Sequence, residues 1–141
     1  MIKNNYYSIA ENDYAYIEQV AIKTSFYNQT TVQCQQAGEK YLKYIIETYC
    51  VDADKESIID CLKTHNIRKL IRFIHGELPE FSIDSRKAVL LQGYYYETRY
   101  PGDNFFTATK EDVDTCYEAL ETIRTAVYDF MLLKQDHLLN R

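Results

Sequence analysis

The chain has 141 residues, of which 46% are hydrophobic and 26% are charged. This composition is typical of a globular protein, and it excludes a disordered tail, a collagen and a membrane-spanning protein. The net charge of −5 argues against a protein that coats nucleic acid non-specifically, because such binding neutralises many phosphates with basic side chains. A local basic site stays compatible with this charge.

Length and cysteine spacing predict the organisation of the chain and its compartment. A chain of this length supports one hydrophobic core, so we expect a single domain over residues 1–141. The four cysteines, at positions 34, 50, 61 and 116, form no CxxC pair and predict free thiols. No apolar signal-peptide core follows Met1, so we expect a cytoplasmic protein.

The first half of the chain follows a helical period. Apolar residues recur at three and four positions from Tyr6 to Ala21, and Ser8 with Glu11 has the pattern of a capping box for this helix. A longer helix is predicted over 26–49. Its buried stripe includes Gly38, where a missing side chain would let another helix approach closely.

The second half predicts further helices. We expect a short helix over 56–62, and longer ones over 66–78 and 84–98. Thr109 and Asp112 are spaced to cap the last helix, whose apolar stripe is the clearest in the sequence. The sequence therefore predicts an all-α protein, an antiparallel up-and-down bundle of four long helices with one or two short ones.

The helix predicted over 66–78 has an unusual charge distribution. At 100° per residue, its basic side chains fall within an arc of about 120° opposite the apolar stripe, and they are His65, Arg68, Lys69, Arg72 and His75. This face is suited to an anion or an RNA backbone. The alternative interpretation is an ordinary solvated polar face.

Arg68 and His75 also fit a loose catalytic pattern of Arg, six residues and His. A metal-independent RNase uses such a pair when the arginine holds the scissile phosphate and the histidine moves a proton. The two residues are two helical turns apart, about 10 Å, which is wide for a single phosphate. They are weak candidates for catalysis.

A tyrosine-rich segment, Tyr94–Gly102, contains the second candidate site. It places Arg99 near the expected end of a helix, where a guanidinium binds phosphate as a bidentate fork while a tyrosine stacks on a base. The structural alternative is that Arg99 stabilises the chain reversal at Pro101. Metal-ligand spacings, nucleophile motifs and phosphate-binding glycine loops are not found, so we expect no metal and no cofactor.

Three segments resemble known motifs in the same order. They are QQAGEKYLK at 35–43, THNIRKL at 64–70 and YETRYP at 96–101, followed by a long closing helix. Together they resemble the HEPN-domain family over about residues 10–135. The resemblance implies a helical bundle that dimerises. In bacteria and archaea such a bundle is often encoded beside a minimal nucleotidyltransferase, as a toxin–antitoxin-like pair.

The resemblance also implies functional positions. Many members are RNases with an Arg-x(4–6)-His motif in the later part of the domain, whereas others bind nucleotides or serve as partner modules. Here the last helix has Arg124 but no histidine before His137, outside that spacing. The family-like positions that imply ligand binding are Lys40, Lys43, His65, Arg99 and Tyr100.

Three functional hypotheses follow from the sequence. The leading one is a nucleotide- or RNA-phosphate-binding component of a two-gene nucleotidyltransferase system, without RNase activity. The enzyme alternative is a metal-independent endoribonuclease toxin. The third is a non-catalytic bundle for dimerisation or partner binding. In each case we expect a homodimer that does not interact with membranes.

Overall fold

The computed structural model describes residues 2–92, 101, 102 and 105–139, and within them it contains helices and no strand. The all-α prediction is confirmed. None of the helices in these ranges is long and apolar enough to cross a membrane. The described ranges hold six α-helices, which are α1 Tyr6–Gln19, α2 Tyr27–Tyr49, α3 Lys55–Lys63, α4 Ile67–Glu77, α5 Ser85–Ala88 and α6 Lys110–Leu139.

Short polar side chains determine where four of the helices begin. In each case the carboxylate or amide oxygen of the capping residue accepts a hydrogen bond from the backbone N–H three residues on, which satisfies a donor that the helix leaves free. The caps of α1, α3, α4 and α5 are Asn5, Asp54, Asn66 and Asp84.

Two predicted caps have different outcomes. The capping box at the start of α6 is confirmed, because Thr109 Oγ1 accepts from Asp112 N at 3.2 Å and Asp112 Oδ2 accepts from Thr109 N at 2.8 Å. The capping box predicted from Ser8 and Glu11 is wrong. Asn5 caps α1 and accepts from Ser8 N at 2.9 Å, so Ser8 lies inside the helix.

Helix α2 is central and packs against both α1 and α6. Helix α1 runs antiparallel to it, since the Tyr7 ring near the start of α1 lies 5.3 Å from the Tyr44 ring near the end of α2. At the opposite end, Thr30 Oγ1 donates to the Ala21 carbonyl just after α1. Consecutive helices therefore alternate in direction here, as the sequence predicts.

Helices α2 and α6 run in the same direction. Close to the start of both, Ala108 N donates to Asn28 Oδ1 at 2.6 Å. Near the end of α2, the Tyr49 ring lies 5.1 Å from that of Phe130. Helix α6 therefore lies beside α2 along most of the length of α2.

Other elements approach α2 closely at Gly38. A Cβ atom on Gly38 would lie 2.9 Å from Leu91 Cδ1 and 3.2 Å from Ile123 Cδ1. The close approach predicted for Gly38 is confirmed. It brings both α6 and the segment after α5 against the middle of α2.

The segment around α5 differs from the sequence prediction. Instead of one helix over 84–98, α5 is followed by a 3₁₀ turn, Val89–Leu91, and the chain is extended at Gln92 with ψ 135°. Gln92 Oε1 accepts a hydrogen bond from Ile67 N at 2.7 Å. The predicted continuous helix is therefore wrong at Gln92, where the backbone is extended and the side chain makes a tertiary bond that local sequence does not record. Residues 93–100 lie outside the described ranges.

All four cysteines are buried, and they form no disulfide, as their spacing predicts. Burial, assisted by the negative charge of Glu77, raises the pKa of the Cys50 thiol to about 11. Burial likewise raises the pKa of Cys34. These thiols stay protonated near neutral pH, which makes them structural rather than reactive groups.

Candidate functional site

Helix α4 carries the predicted basic face on its outer side. Its apolar residues Ile67, Leu70, Ile71 and Ile74 are buried in the core. Arg68, Lys69 and Arg72 are exposed, and His75 is half-buried. The predicted polarity of this helix is confirmed.

A cavity of about 310 Å³ lies between this face of α4 and the α5 segment. Its described lining combines cationic and hydroxyl side chains with two aliphatic ones. We call this cavity the basic pocket. Its lining residues are Arg68, Ile71, Arg72 and His75 from α4, and Ser85, Arg86 and Val89 from α5 and the turn after it.

Core packing holds the second wall of the basic pocket in place. Ala88 and Leu91 are fully buried and anchor the α5 segment on the bundle. The hydrogen bond from Ile67 N to Gln92 Oε1 ties the end of this segment to the first residue of α4. The α5 segment is therefore fixed at Gln92, and it places Arg86 in the pocket lining opposite α4.

The arginines of the basic pocket lack carboxylate partners within the described residues. No acidic side chain is among the described residues that line the cavity, and Arg68, Arg72 and Arg86 take part in none of the ion pairs that the described residues form. A guanidinium offers a planar fork of N–H donors that matches phosphate oxygens. The arrangement is chemically suited to binding a phosphate-bearing anion.

Arg124 provides a contrast. Its Nε donates to Glu11 Oε1 at 2.7 Å, and its guanidinium lies 4.2 Å from the centroid of the Tyr14 ring. Hydrogen bonds to Glu11 raise the pKa of Arg124, although burial opposes them. This arginine is committed to holding α6 against α1.

The two predicted ligand-binding lysines lie elsewhere. Lys40 Nζ donates to Asp13 Oδ2 at 2.5 Å. Lys43 Nζ lies 3.9 Å from Glu39 Oε2, and both side chains are buried. Burial lowers the pKa of Lys43, opposed by Glu39 and reinforced by Lys40. The structure therefore gives each lysine its own carboxylate and places neither in the lining of the basic pocket.

His65 belongs to a partly buried polar network between α2 and the start of α4. Glu39 is only 3% exposed. It accepts from Gln35 Nε2 at 3.2 Å and contacts His65 Nδ1 at 3.1 Å. Gln35 Nε2 also donates to the His65 carbonyl at 3.1 Å. The network fixes where α4 starts, and His65 does not line the basic pocket.

Comparison with known proteins decides the family. A sequence model of the HEPN domain matches residues 4–130, which is most of the chain. The chain belongs to the HEPN domain family. No curated protein and no solved structure matches it. The basic pocket lies within the matched part of this HEPN domain.

Other predicted site residues have different outcomes in this HEPN domain. Arg99 and Tyr100 lie outside the described residues. Arg68 and His75 are brought to the same cavity. The sequence interpretation missed Ser85 and Arg86. Their position opposite α4 depends on tertiary packing, and the adjacent Asp84 cap signals only that a helix begins there.

A second cavity of this HEPN domain, about 470 Å³, lies on the other side of α5 against α6. Its charged lining is mostly acidic, with Lys87 among four carboxylates, which are Asp84, Glu118, Glu121 and Asp129. The surface thus changes sign across α5. An anion that approaches this region is attracted to the basic pocket and repelled from its neighbour.

Proposed function

We propose that this HEPN domain binds the phosphate groups of a nucleotide or an RNA, as a non-catalytic component of a two-gene nucleotidyltransferase system. The observation that carries the proposal is the basic pocket, where Arg68, Arg72 and Arg86 line one cavity and no described lining residue is a carboxylate. In a chain with net charge −5, this concentration of positive charge favours anion binding.

The absence of RNase activity in this proposal rests on Arg124. It is the arginine of the last helix, where family RNases commonly carry their motif, and it has no histidine at the required spacing. Its guanidinium is engaged by Glu11 and by the Tyr14 ring. A guanidinium held in this way is not available to a scissile phosphate.

The test is the melting temperature of the full chain with nucleotides and a short single-stranded RNA. A ligand at ~100 times its dissociation constant stabilises the folded state by roughly 2.7 kcal/mol. We expect Arg72→Gln to lose this stabilisation. Lys69→Gln removes the same charge from the same helix, but Lys69 does not line the pocket. We therefore expect the Lys69→Gln variant to keep most of the stabilisation by ligand. Equal responses in the two variants would contradict the proposal.

A second candidate function is a metal-independent endoribonuclease. The observation that favours it is that Arg68 and His75 line the same cavity. This function requires RNA cleavage in the presence of a chelator, lost in His75→Ala while the melting temperature is kept. Our leading proposal expects RNA binding without cleavage in that assay.

Exposed apolar side chains support the proposed partners, a second copy of the chain and a minimal nucleotidyltransferase. Phe26 is 65% exposed and Phe105 is 52% exposed. Asn28 holds the backbone of Phe106 and Ala108 against the start of α2. Sedimentation of the chain alone tests the homodimer, and sedimentation with the nucleotidyltransferase tests the second partner. A monomer that does not bind the nucleotidyltransferase would contradict both proposed interactions.

A further inference from the structure

The basic pocket concentrates charge unusually strongly for this chain. It holds three of the four arginines that the structure describes, although acidic residues outnumber basic ones by 21 to 16 in the sequence. Because like charges repel at close range, the pocket is matched to a ligand of high negative charge.

The size of the cavity limits which kind of anion can carry that negative charge into it. A volume of about 310 Å³ is at the small end of ligand pockets. It holds roughly one nucleotide-sized group. An internal phosphodiester brings a single negative charge into such a space, whereas a terminal phosphate carries about −1.5 to −2 at pH 7. Adjoining phosphates in a diphosphate or triphosphate add further charge within the same volume.

The guanidiniums approach from two elements. Arg68 and Arg72 are one helical turn apart on α4, about 5.4 Å along its axis. Arg86 comes from α5 on the other wall. Positive groups on two walls clamp a compact anion, whereas a groove that follows a nucleic acid strand carries positive charge along a continuous path.

The surroundings of the pocket disfavour a strand that passes through it. Beyond α5 the surface becomes acidic, with Asp84, Glu118 and Glu121 lining the next cavity. A strand running across α5 would bring its phosphates against these carboxylates. A chain end that terminates in the basic pocket avoids this repulsion.

The described lining offers a base few groups other than its arginines. Ile71 and Val89 are aliphatic, and Ser85 supplies one hydroxyl. Among the described lining residues there is no amide or carboxylate to pair with a base edge, and no Phe, Tyr or Trp to stack on one. An arginine can bind a guanine edge, but an arginine that holds a phosphate is already engaged. Phosphate contacts therefore dominate recognition by the described lining.

We propose that the basic pocket binds an oligophosphate group, that of a nucleoside triphosphate or of a 5′-triphosphorylated RNA end, regardless of the base and in preference to internal phosphodiesters. This inference rests on the proposed function in taking the pocket as a phosphate site. It adds the number of phosphates and their terminal position.

The test is a binding series on the full chain at constant ionic strength with a chelator present. The ligands are AMP, ADP, ATP, GTP, inorganic tripolyphosphate, and one RNA oligonucleotide with either a 5′-hydroxyl or a 5′-triphosphate. We expect affinity to rise at least about tenfold from AMP to ATP, with ATP and GTP alike. The two RNA forms separate the sources, since a preference for the triphosphorylated RNA over ATP assigns the ligand to an RNA end.

Variants locate the binding and separate this inference from the proposed function. Arg86→Gln should remove the gain from AMP to ATP, whereas the neighbouring Lys87→Gln should keep it, since Lys87 lines the acidic cavity. If both RNA forms bind equally and Arg86→Gln weakens both, the proposed function stands and this inference is wrong. If the phosphate gradient survives Arg86→Gln, the pocket assignment is wrong. If no phosphate ligand binds, both proposals are wrong.

Discussion

At the scale of single residues, Glu11 is a central acceptor between three helices. It receives hydrogen bonds from Arg124 of α6 and from Tyr41 of α2, at 2.7 and 2.6 Å. Burial alone would raise the pKa of Glu11, but the hydrogen bonds from Arg124 and Tyr41 outweigh it and hold this pKa below its usual value. The charged form is therefore favoured by folding.

This pairing predicts an acid-sensitive part of the stability. Since the pKa of Glu11 is lower in the folded state, its contribution is present above the ordinary glutamate pKa of about 4.3 and is lost as pH falls through the folded value. Glu11→Gln should cost about 1 kcal/mol at pH 7, a modest figure because the Arg124 side chain is 38% exposed. Urea unfolding between pH 3 and pH 7 should show this cost shrinking toward acid. A constant cost, or the same cost for exposed Glu47→Gln, would contradict the interpretation.

The two helical glycines predict opposite responses to the same change. Gly38→Ala introduces a methyl group 2.9 Å from buried Leu91 Cδ1, so we expect it to lower the free energy of unfolding by about 1 kcal/mol. A Cβ at Gly76 meets nothing within 4 Å. Gly76→Ala should raise the free energy of unfolding by up to about 1 kcal/mol, since alanine favours the helix. Chemical denaturation of both variants tests this, and a stabilised Gly38→Ala would contradict the close packing.

At the scale of elements, hydrophobic periodicity predicted α2, α3 and α4 within a residue or two of their ends. It succeeded because these helices bury one apolar face, which local sequence records. It failed at Gln92, whose bond to Ile67 N joins residues 25 positions apart. The basic pocket was predictable on its α4 side, through Arg68 and His75. Arg86 was not, because no local pattern brings α5 opposite α4.

At this scale we predict that Gln92 stabilises the junction between α4 and the α5 segment. Ile67 is fully buried, so Gln92→Leu leaves its N–H without an acceptor and should cost about 1–3 kcal/mol. The same change releases the far wall of the basic pocket and should weaken ATP binding. Gln92→Glu keeps an acceptor at the start of α4, where a negative charge is favourable, and should retain both stability and binding. Denaturation and ATP titration of the pair measure this, and equal behaviour would contradict the role of Gln92.

At the scale of the whole molecule, an acidic chain presents a compact basic site. Most described arginines line a single cavity, while carboxylates line the cavity on the other side of α5. Such a distribution favours selective anion binding over general attraction to nucleic acid. The composition predicted this limit, but the position of the site required the fold, because its two walls come from separate elements.

The most direct measurement of the central claim is an NMR titration of the arginine side-chain Nε–Hε signals with ATP, in the presence of a chelator. Single arginine-to-lysine variants assign the signals. Our account predicts that the signals of Arg68, Arg72 and Arg86 shift together and saturate, while that of Arg124, held by Glu11, stays in place. Saturating ATP that leaves the three pocket signals unmoved would contradict the assignment of the basic pocket as the phosphate site.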